Sequence, residues 1–353
     1  MSLRRIVQTF EDWRRAGEPL VLATVYETQG STYSKAGHGI LIAASGDYQG
    51  LVSGGCLEGD LAERARGVLA ARRAAAVSYD LRDEADELWG LGIGCDGLIR
   101  VFLQPLSAET GYEPFATIAA CMLAGRAAAV ATVVESADAS LAPGAALVHG
   151  AAAHAHWGVP AKWAAHLTAG CDAALQAGRA TYRAEPGEPG VLYAPIKPIP
   201  RLLVLGAGLD AVALVTLAAE VGWIVTVADH RPAYVARGGF ERAADVRTIE
   251  PAQLARALDL DSYDAIIVMS HHLATDRAYL EQLAHSRARY IGVLGPPARK
   301  QRLLEALGAR GAELRARLKG PVGLNIGADS PETIALSIVA EMQATAGRAG
   351  PRQ

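Results

Sequence analysis

Residues 201–231 read RLLVLGAGLDAVALVTLAAEVGWIVTVADHR, and the succession of residue types along this stretch decides the fold. The apolar run Leu202-Leu203-Val204-Leu205 meets Gly206-Ala207-Gly208, a helical pattern follows, and a second apolar strand over 223–228 ends at Asp229. That is the pattern of a first βαβ unit in a dinucleotide-binding sheet. Gly206 permits the tight turn, Gly208 lets the backbone approach a phosphate, and Ala211 is small enough for close helix–strand packing. The helix N-terminus offers unpaired N–H groups to an anion. Asp229, 21 positions after Gly208, is placed to accept from ribose hydroxyls, while His230 and Arg231 could admit a 2′-phosphate instead, so NAD and NADP both stay open. So does a Rossmann-like scaffold reassigned to another phosphorylated ligand, because fold does not settle function.

Downstream, short apolar runs over 245–249, 264–269, 289–294 and 323–328 read as four more strands, with helices in the intervals. Such alternation predicts a parallel, doubly wound sheet. Ligands in these sheets lie at the carboxyl ends of the strands, so Ser270, His271, His272, Gly295 and residues 325–329 should line one crevice with Gly206 and Asp229. His271 and His272 are candidates for a general base or for phosphate ligands; the plainer alternative is that one of them caps a strand.

Upstream, Pro186-Gly187-Glu188-Pro189-Gly190 and Pro195, Pro198 and Pro200 mark a joint, giving a mixed α/β domain over 1–196 and the Rossmann-like domain over 197–353. In the first domain a hairpin turns about Ser45-Gly46-Asp47, and Ser53-Gly54-Gly55-Cys56-Leu57-Glu58-Gly59 then opens a helix running to about Arg72. A thiol at a helix N-terminus is favoured as thiolate, with Glu58 in the same turn partly opposing the effect. A small buried packing residue is the bland reading of Cys56. A second thiol stands in Gly90-Leu91-Gly92-Ile93-Gly94-Cys95-Asp96-Gly97, where the glycines allow positive φ and close backbone approach, as in a loop that wraps a ligand. The histidines after residue 148 have no ordinary zinc spacing and read as a polar loop before a helix over 161–177.

The 353 residues suffice for two domains with their own cores. Half of them are hydrophobic (51%), and a formal net charge of −3 leaves no electrostatic footprint for nucleic acid or an anionic membrane surface. No apolar run approaches a membrane span, the amphipathic N-terminus lacks a signal-peptide core, and four cysteines without a CxxC fit reduced thiols in a cytoplasm.

Taken together, Val21-Leu22-Ala23-Thr24-Val25, Gly30-Ser31, Ser53 to Gly59, Gly94-Cys95, Gly206-Ala207-Gly208, Asp229-His230-Arg231-Pro232, Ser270-His271-His272, Tyr290 to Gly295 and Gly323 to Ala328 resemble the XdhC/CoxI family of molybdenum-enzyme accessory proteins. The resemblance implies a cofactor chaperone in place of a turnover enzyme. Such a protein would bind the molybdenum cofactor (molybdopterin), support its sulfuration with a cysteine desulfurase, and deliver it to xanthine dehydrogenase or related hydroxylases. By resemblance Cys56 and Cys95 would meet the molybdenum end, with Ser53, Gly54, Gly55 and Gly94 around them, and the Gly206–Gly208 loop would hold a phosphate or a nucleotide such as NAD(P). A homodimer is the common default for such proteins. The chain departs from the family at Thr32-Tyr33-Ser34-Lys35, where Pro-Arg is usual, at Asp96, and at Pro296-Pro297, which delay a basic residue to Arg299. An NAD(P)-dependent oxidoreductase using His271 or His272 as acid/base is the alternative from another functional class.

Overall fold

The computed structural model describes residues 2–80, 82, 97–151 and 153–346, and the chain divides into two compact units, Met1–Pro198 and Ile199–Gln353. Among the described residues, no helix is long and apolar enough to cross a membrane.

The first unit holds two antiparallel five-stranded sheets. Strands β1 (Leu20–Gly30), β2 (Gly39–Ala43), β3 (Tyr48–Gly50), β4 (Ala75–Asp80) and β5 (Gly97–Leu106) lie in the order β3-β2-β1-β5-β4. One face of β1, through Val21, Ala23 and Val25, packs on Leu57, Leu61, Ala65 and Val68, the apolar stripe around the helix Glu58–Ala71. Strands β6 (Ala128–Glu135), β7 (Ala146–Gly150), β8 (His154–Trp157), β9 (Thr181–Arg183) and β10 (Gly190–Ile196) form the second sheet, ordered β8-β7-β6-β10-β9. There Ala129, Ala131 and Val133 receive Leu167, Cys171 and Ala174 of the helix Ala161–Ala177. The faces turned away from these helices share a smaller cluster of Tyr26, Phe102, Val134 and Leu192. The histidine-rich stretch is not a polar loop: it is the edge strand β8, with His154 directly opposite His149 of β7.

The second unit is a doubly wound sheet of six parallel strands: β11 (Arg201–Leu205), β12 (Ile224–Asp229), β13 (Asp245–Thr248), β14 (Ala265–Val268), β15 (Tyr290–Val293) and β16 (Leu318–Lys319), ordered β13-β12-β11-β14-β15-β16. Side chains alternate across it. Leu202, Val204, Val225, Val227 and Ile267 pack beneath the helices Leu209–Glu220 and Pro331–Ala346, while Leu203, Leu205, Ile266, Val268 and Ile291 pack beneath Leu273–Leu283 and Pro297–Leu307. Burial on both faces explains why these strands read as unbroken apolar runs.

The sixth strand is not 323–328, as the apolar pattern suggested, but the short β16 before it. The first two backbone donors of 323–328 go to the last helix: Gly323 N–H to the Glu341 carboxylate at 2.8 Å and Leu324 N–H to the Ser337 carbonyl at 3.1 Å. Leu324 and Ile326 are exposed there.

Candidate functional sites in the two units

At the carboxyl end of β11, Gly206 adopts φ +130°, and a Cβ there would stand 2.5 Å from the Met269 carbonyl oxygen. Only glycine lets the loop pass this close to the end of β14. Gly208 caps the helix Leu209–Glu220 from an extended conformation. Asp229 ends β12 and is fully buried. Its Oδ2 accepts from Ala207 N–H (2.8 Å) and Arg231 Nη2 (2.8 Å), and its Oδ1 from Arg231 N–H and Nε (2.9 Å each). Burial raises the carboxyl pKa, and these hydrogen bonds and the Arg231 charge outweigh it, holding the group below the ordinary carboxylate value. A ribose hydroxyl that reached Asp229 would therefore have to displace the protein's own donors. The carboxylate ties the glycine loop to the end of β12.

Arg231 lies 3.5 Å above the Tyr234 ring, and Arg237 lies over the same ring at 4.9 Å while its Nη2 donates to the Ala207 carbonyl at 3.0 Å. These two guanidinium groups flank the glycine loop. Sequence reasoning missed Tyr234 and Arg237: Tyr234 lies in the short helix Pro232–Ala236 and Arg237 is its C-cap, and nothing in their spacing marks the loop contact.

The turn after β14 splits its histidines. His271 takes a left-handed backbone (φ +62°) and sends Nε2 to the Asp210 carboxylate at 2.7 Å, next to Gly208. With its side chain 59% exposed, this imidazole meets solvent. His272 instead caps the helix Leu273–Leu283, its Nδ1 accepting from Thr275 N–H at 3.4 Å. The capping alternative thus describes His272, at a helix and not at a strand. Behind them the Ser270 hydroxyl donates to buried Asp276, whose other oxygen accepts from Arg299 Nη2 at 2.6 Å. Gly295 (φ +117°) is required by that route, since Arg299 Cδ lies 2.6 Å from where its Cβ would stand.

In the first unit the residues 52–58 are folded around one anion. The fully buried Glu58 carboxylate accepts from the N–H groups of Val52 (2.8 Å), Ser53 (2.9 Å) and Gly55 (3.0 Å) and from the Ser53 hydroxyl. Burial raises its pKa, and the Ser53 and Val52 donors more than offset this, leaving it below the usual value. Ser53 Oγ also accepts from Leu57 N–H at 2.8 Å, so this hydroxyl serves the loop and is not turned to a ligand. Gly54 and Gly55 take φ of +83° and +118°, and nothing lies within 4 Å of a Cβ built on Gly55. Cys56 is half-buried, with Sγ 3.6 Å from the Ser53 carbonyl. It precedes the helix Glu58–Ala71 and its N-cap Leu57, so it stands outside the first turn. Over Gly54, Tyr33 is 59% exposed with ring carbons 3.7 Å from a Gly54 Cβ position, a contact the sequence pattern did not single out.

Gly94, Cys95 and Asp96 lie outside the described residues. The other thiols of the first unit are core residues: Cys171 is buried and pushed up to about 12 by that burial, and burial likewise raises Cys121. Among the described residues, no group of three or more His, Cys, Asp or Glu is arranged to hold a metal ion.

The XdhC and CoxI family model matches residues 13–80, and the XdhC Rossmann domain model matches residues 202–342. A probable xanthine dehydrogenase subunit of Bacillus subtilis (strain 168) is 33% identical over 343 residues, 94% of this chain and 94% of that protein. The uncharacterized protein YqeB of Escherichia coli (strain K12) is 32% identical over 146 residues, 40% of this chain and 27% of that protein. A crystal structure of a xanthine dehydrogenase from Bacillus halodurans matches with a TM-score of 0.77 at 30% identity, covering 99% of this chain and 97% of that one.

Proposed function

This chain belongs to the XdhC and CoxI family, and on that premise we propose that it is an accessory protein of a xanthine dehydrogenase-type molybdenum hydroxylase, binding the molybdenum cofactor for sulfuration and insertion. The observation that supports this best is the Cys56 loop. Two positive-φ glycines and a buried carboxylate hold a partly exposed thiol beside open space over Gly55, with the exposed Tyr33 ring next to Gly54. A soft sulfur donor with room beside it for a bulky ligand suits a pterin-bound molybdenum or a transferable sulfur. In the second unit, the Gly206–Gly208 loop and the N–H groups opening the helix Leu209–Glu220 suit a phosphate or a nucleotide. Cys95 joins the site on family resemblance alone. A cysteine desulfurase as sulfur donor, a homodimeric state and a cytoplasmic location belong to the same reading.

Anaerobic equilibrium binding of molybdenum cofactor to the wild-type chain and to Cys56→Ser tests it. The wild type should bind and the variant should lose about tenfold or more in affinity, the scale of losing a charge-assisted or metal-directed contact. Equal binding by both removes Cys56 from the site, and binding by neither removes the reading.

One observation favours a second reading, an NAD(P)-dependent oxidoreductase: the exposed His271 imidazole, oriented by Asp210 beside Gly208, has the form of an acid/base dyad. It requires nicotinamide turnover that His271→Gln abolishes.

A further inference from the structure

The ends of β11 and β12 carry an asymmetry of charge that bears on what the glycine loop recognises. In a dinucleotide sheet, an open carboxylate at the end of the second strand accepts from the adenosine ribose hydroxyls, and a nearby arginine marks a ribose that carries a phosphate. Here the carboxylate is present but closed. Asp229 is fully buried and saturated by Ala207 N–H and by Arg231, through both its backbone and its guanidinium. What faces outward from the same place is positive. Arg231 is held flat by Asp229 and by the Tyr234 ring at 3.5 Å, and Arg237 lies over that ring at 4.9 Å with one nitrogen on the Ala207 carbonyl. Both arginines thus touch either the glycine loop or the carboxylate that pins it. Arg231 is already engaged by Asp229 and Arg237 by the Ala207 carbonyl, so part of their side-chain entropy is lost before an anion arrives. The acid nearest the helix start, Asp210, is engaged by His271 at 2.7 Å, which leaves the two guanidinium groups as the charges on this side of the loop.

We propose that the Arg231–Tyr234–Arg237 tier is a phosphomonoester site that makes the second unit selective for a dinucleotide carrying a 2′-phosphate on its adenosine ribose. The inference rests on the reading that the Gly206–Gly208 loop takes a nucleotide phosphate, and it adds which nucleotide.

Calorimetric titration of the full chain with NAD and with NADP tests both layers, using Arg237→Ala and Arg237→Lys. Arg231 is left intact because its removal would strand the buried Asp229 charge. NADP is expected to bind about tenfold or more tighter than NAD. Arg237→Ala should erase most of that ratio by weakening NADP while NAD stays within about twofold, and Arg237→Lys should restore part of it. Equal affinity for the two nucleotides overturns the selectivity and leaves the loop reading standing. No binding of either overturns both. Parallel loss of NAD and NADP in Arg237→Ala also overturns the proposal, because it would make the arginine a support for the Ala207 carbonyl only.

Discussion

A single carboxylate, Glu58, determines how Cys56 is presented. Its sequence position suggests a charge that opposes a thiolate, yet the carboxylate turns back into the loop and accepts from Val52, Ser53 and Gly55. Spacing tells which residues are neighbours along the chain; it does not tell which way a side chain points. Replacing Glu58 with Gln puts an amide N–H₂ against buried donors, a loss of about 2–4 kcal/mol read as a lower urea midpoint. An unchanged midpoint would remove this account of the loop. Glu58 and Asp229 both have folded-state pKa values below their ordinary ones. Their stabilisation is therefore complete above the unfolded carboxylate values near pH 4 and is lost as pH falls through the lower folded values. Urea midpoints taken from pH 7 downward should stay flat on this account until about pH 4 and then drop, with a shallower drop in Glu58→Gln. Thiol accessibility separates the cysteines in the same way. In a Cys95→Ser background, iodoacetamide at pH 8 should alkylate Cys56 in the native chain and spare Cys171, whose burial pushes its thiol up to about 12. Labelling of Cys171 at a similar rate would contradict its place in the core.

Among the elements, the doubly wound sheet was the most legible, because strands buried on both faces must be apolar throughout and helices must separate them. Gly206 is the clearest case of a residue whose type follows from its place. Gly206→Ala would push a Cβ against the Met269 carbonyl 2.5 Å away while holding φ at +130°, and backbone has nowhere to yield. A loss of about 2–4 kcal/mol is expected, measured by urea unfolding; tolerance of alanine would show that the loop relaxes. The sixth strand was misplaced for a reason of the same kind. Residues 323–328 look strand-like by apolarity, but a strand needs a ladder partner, and the N–H groups of Gly323 and Leu324 are committed to Glu341 and Ser337 on the last helix. The Glu341 carboxylate also accepts from the Tyr290 hydroxyl, so one acid links that helix, the glycine turn and β15. Periodicity carries no record of such tertiary competition. Nor could it find Arg237, whose importance lies in a carbonyl 30 residues earlier.

For the whole molecule, the described hydrophobic clusters each fall within one unit: those around Leu61, Leu167 and Phe102 before residue 197, those around Val204 and Leu205 after residue 201. Calorimetry of the full chain should accordingly resolve two transitions, with Glu58→Gln lowering one and Gly206→Ala lowering the other. A single transition moved by both substitutions would show that the two units unfold as one. The part given to Cys95 rests on its motif, outside the described residues. The seven residues from Val52 to Glu58 have a different kind of independence. The bonds described for the Glu58 carboxylate and the Ser53 hydroxyl begin and end inside this segment. A loop that carries its own counter-anion behaves as a portable cassette: grafted between a strand and a helix of an unrelated scaffold, it should bring its thiol-presenting shape with it.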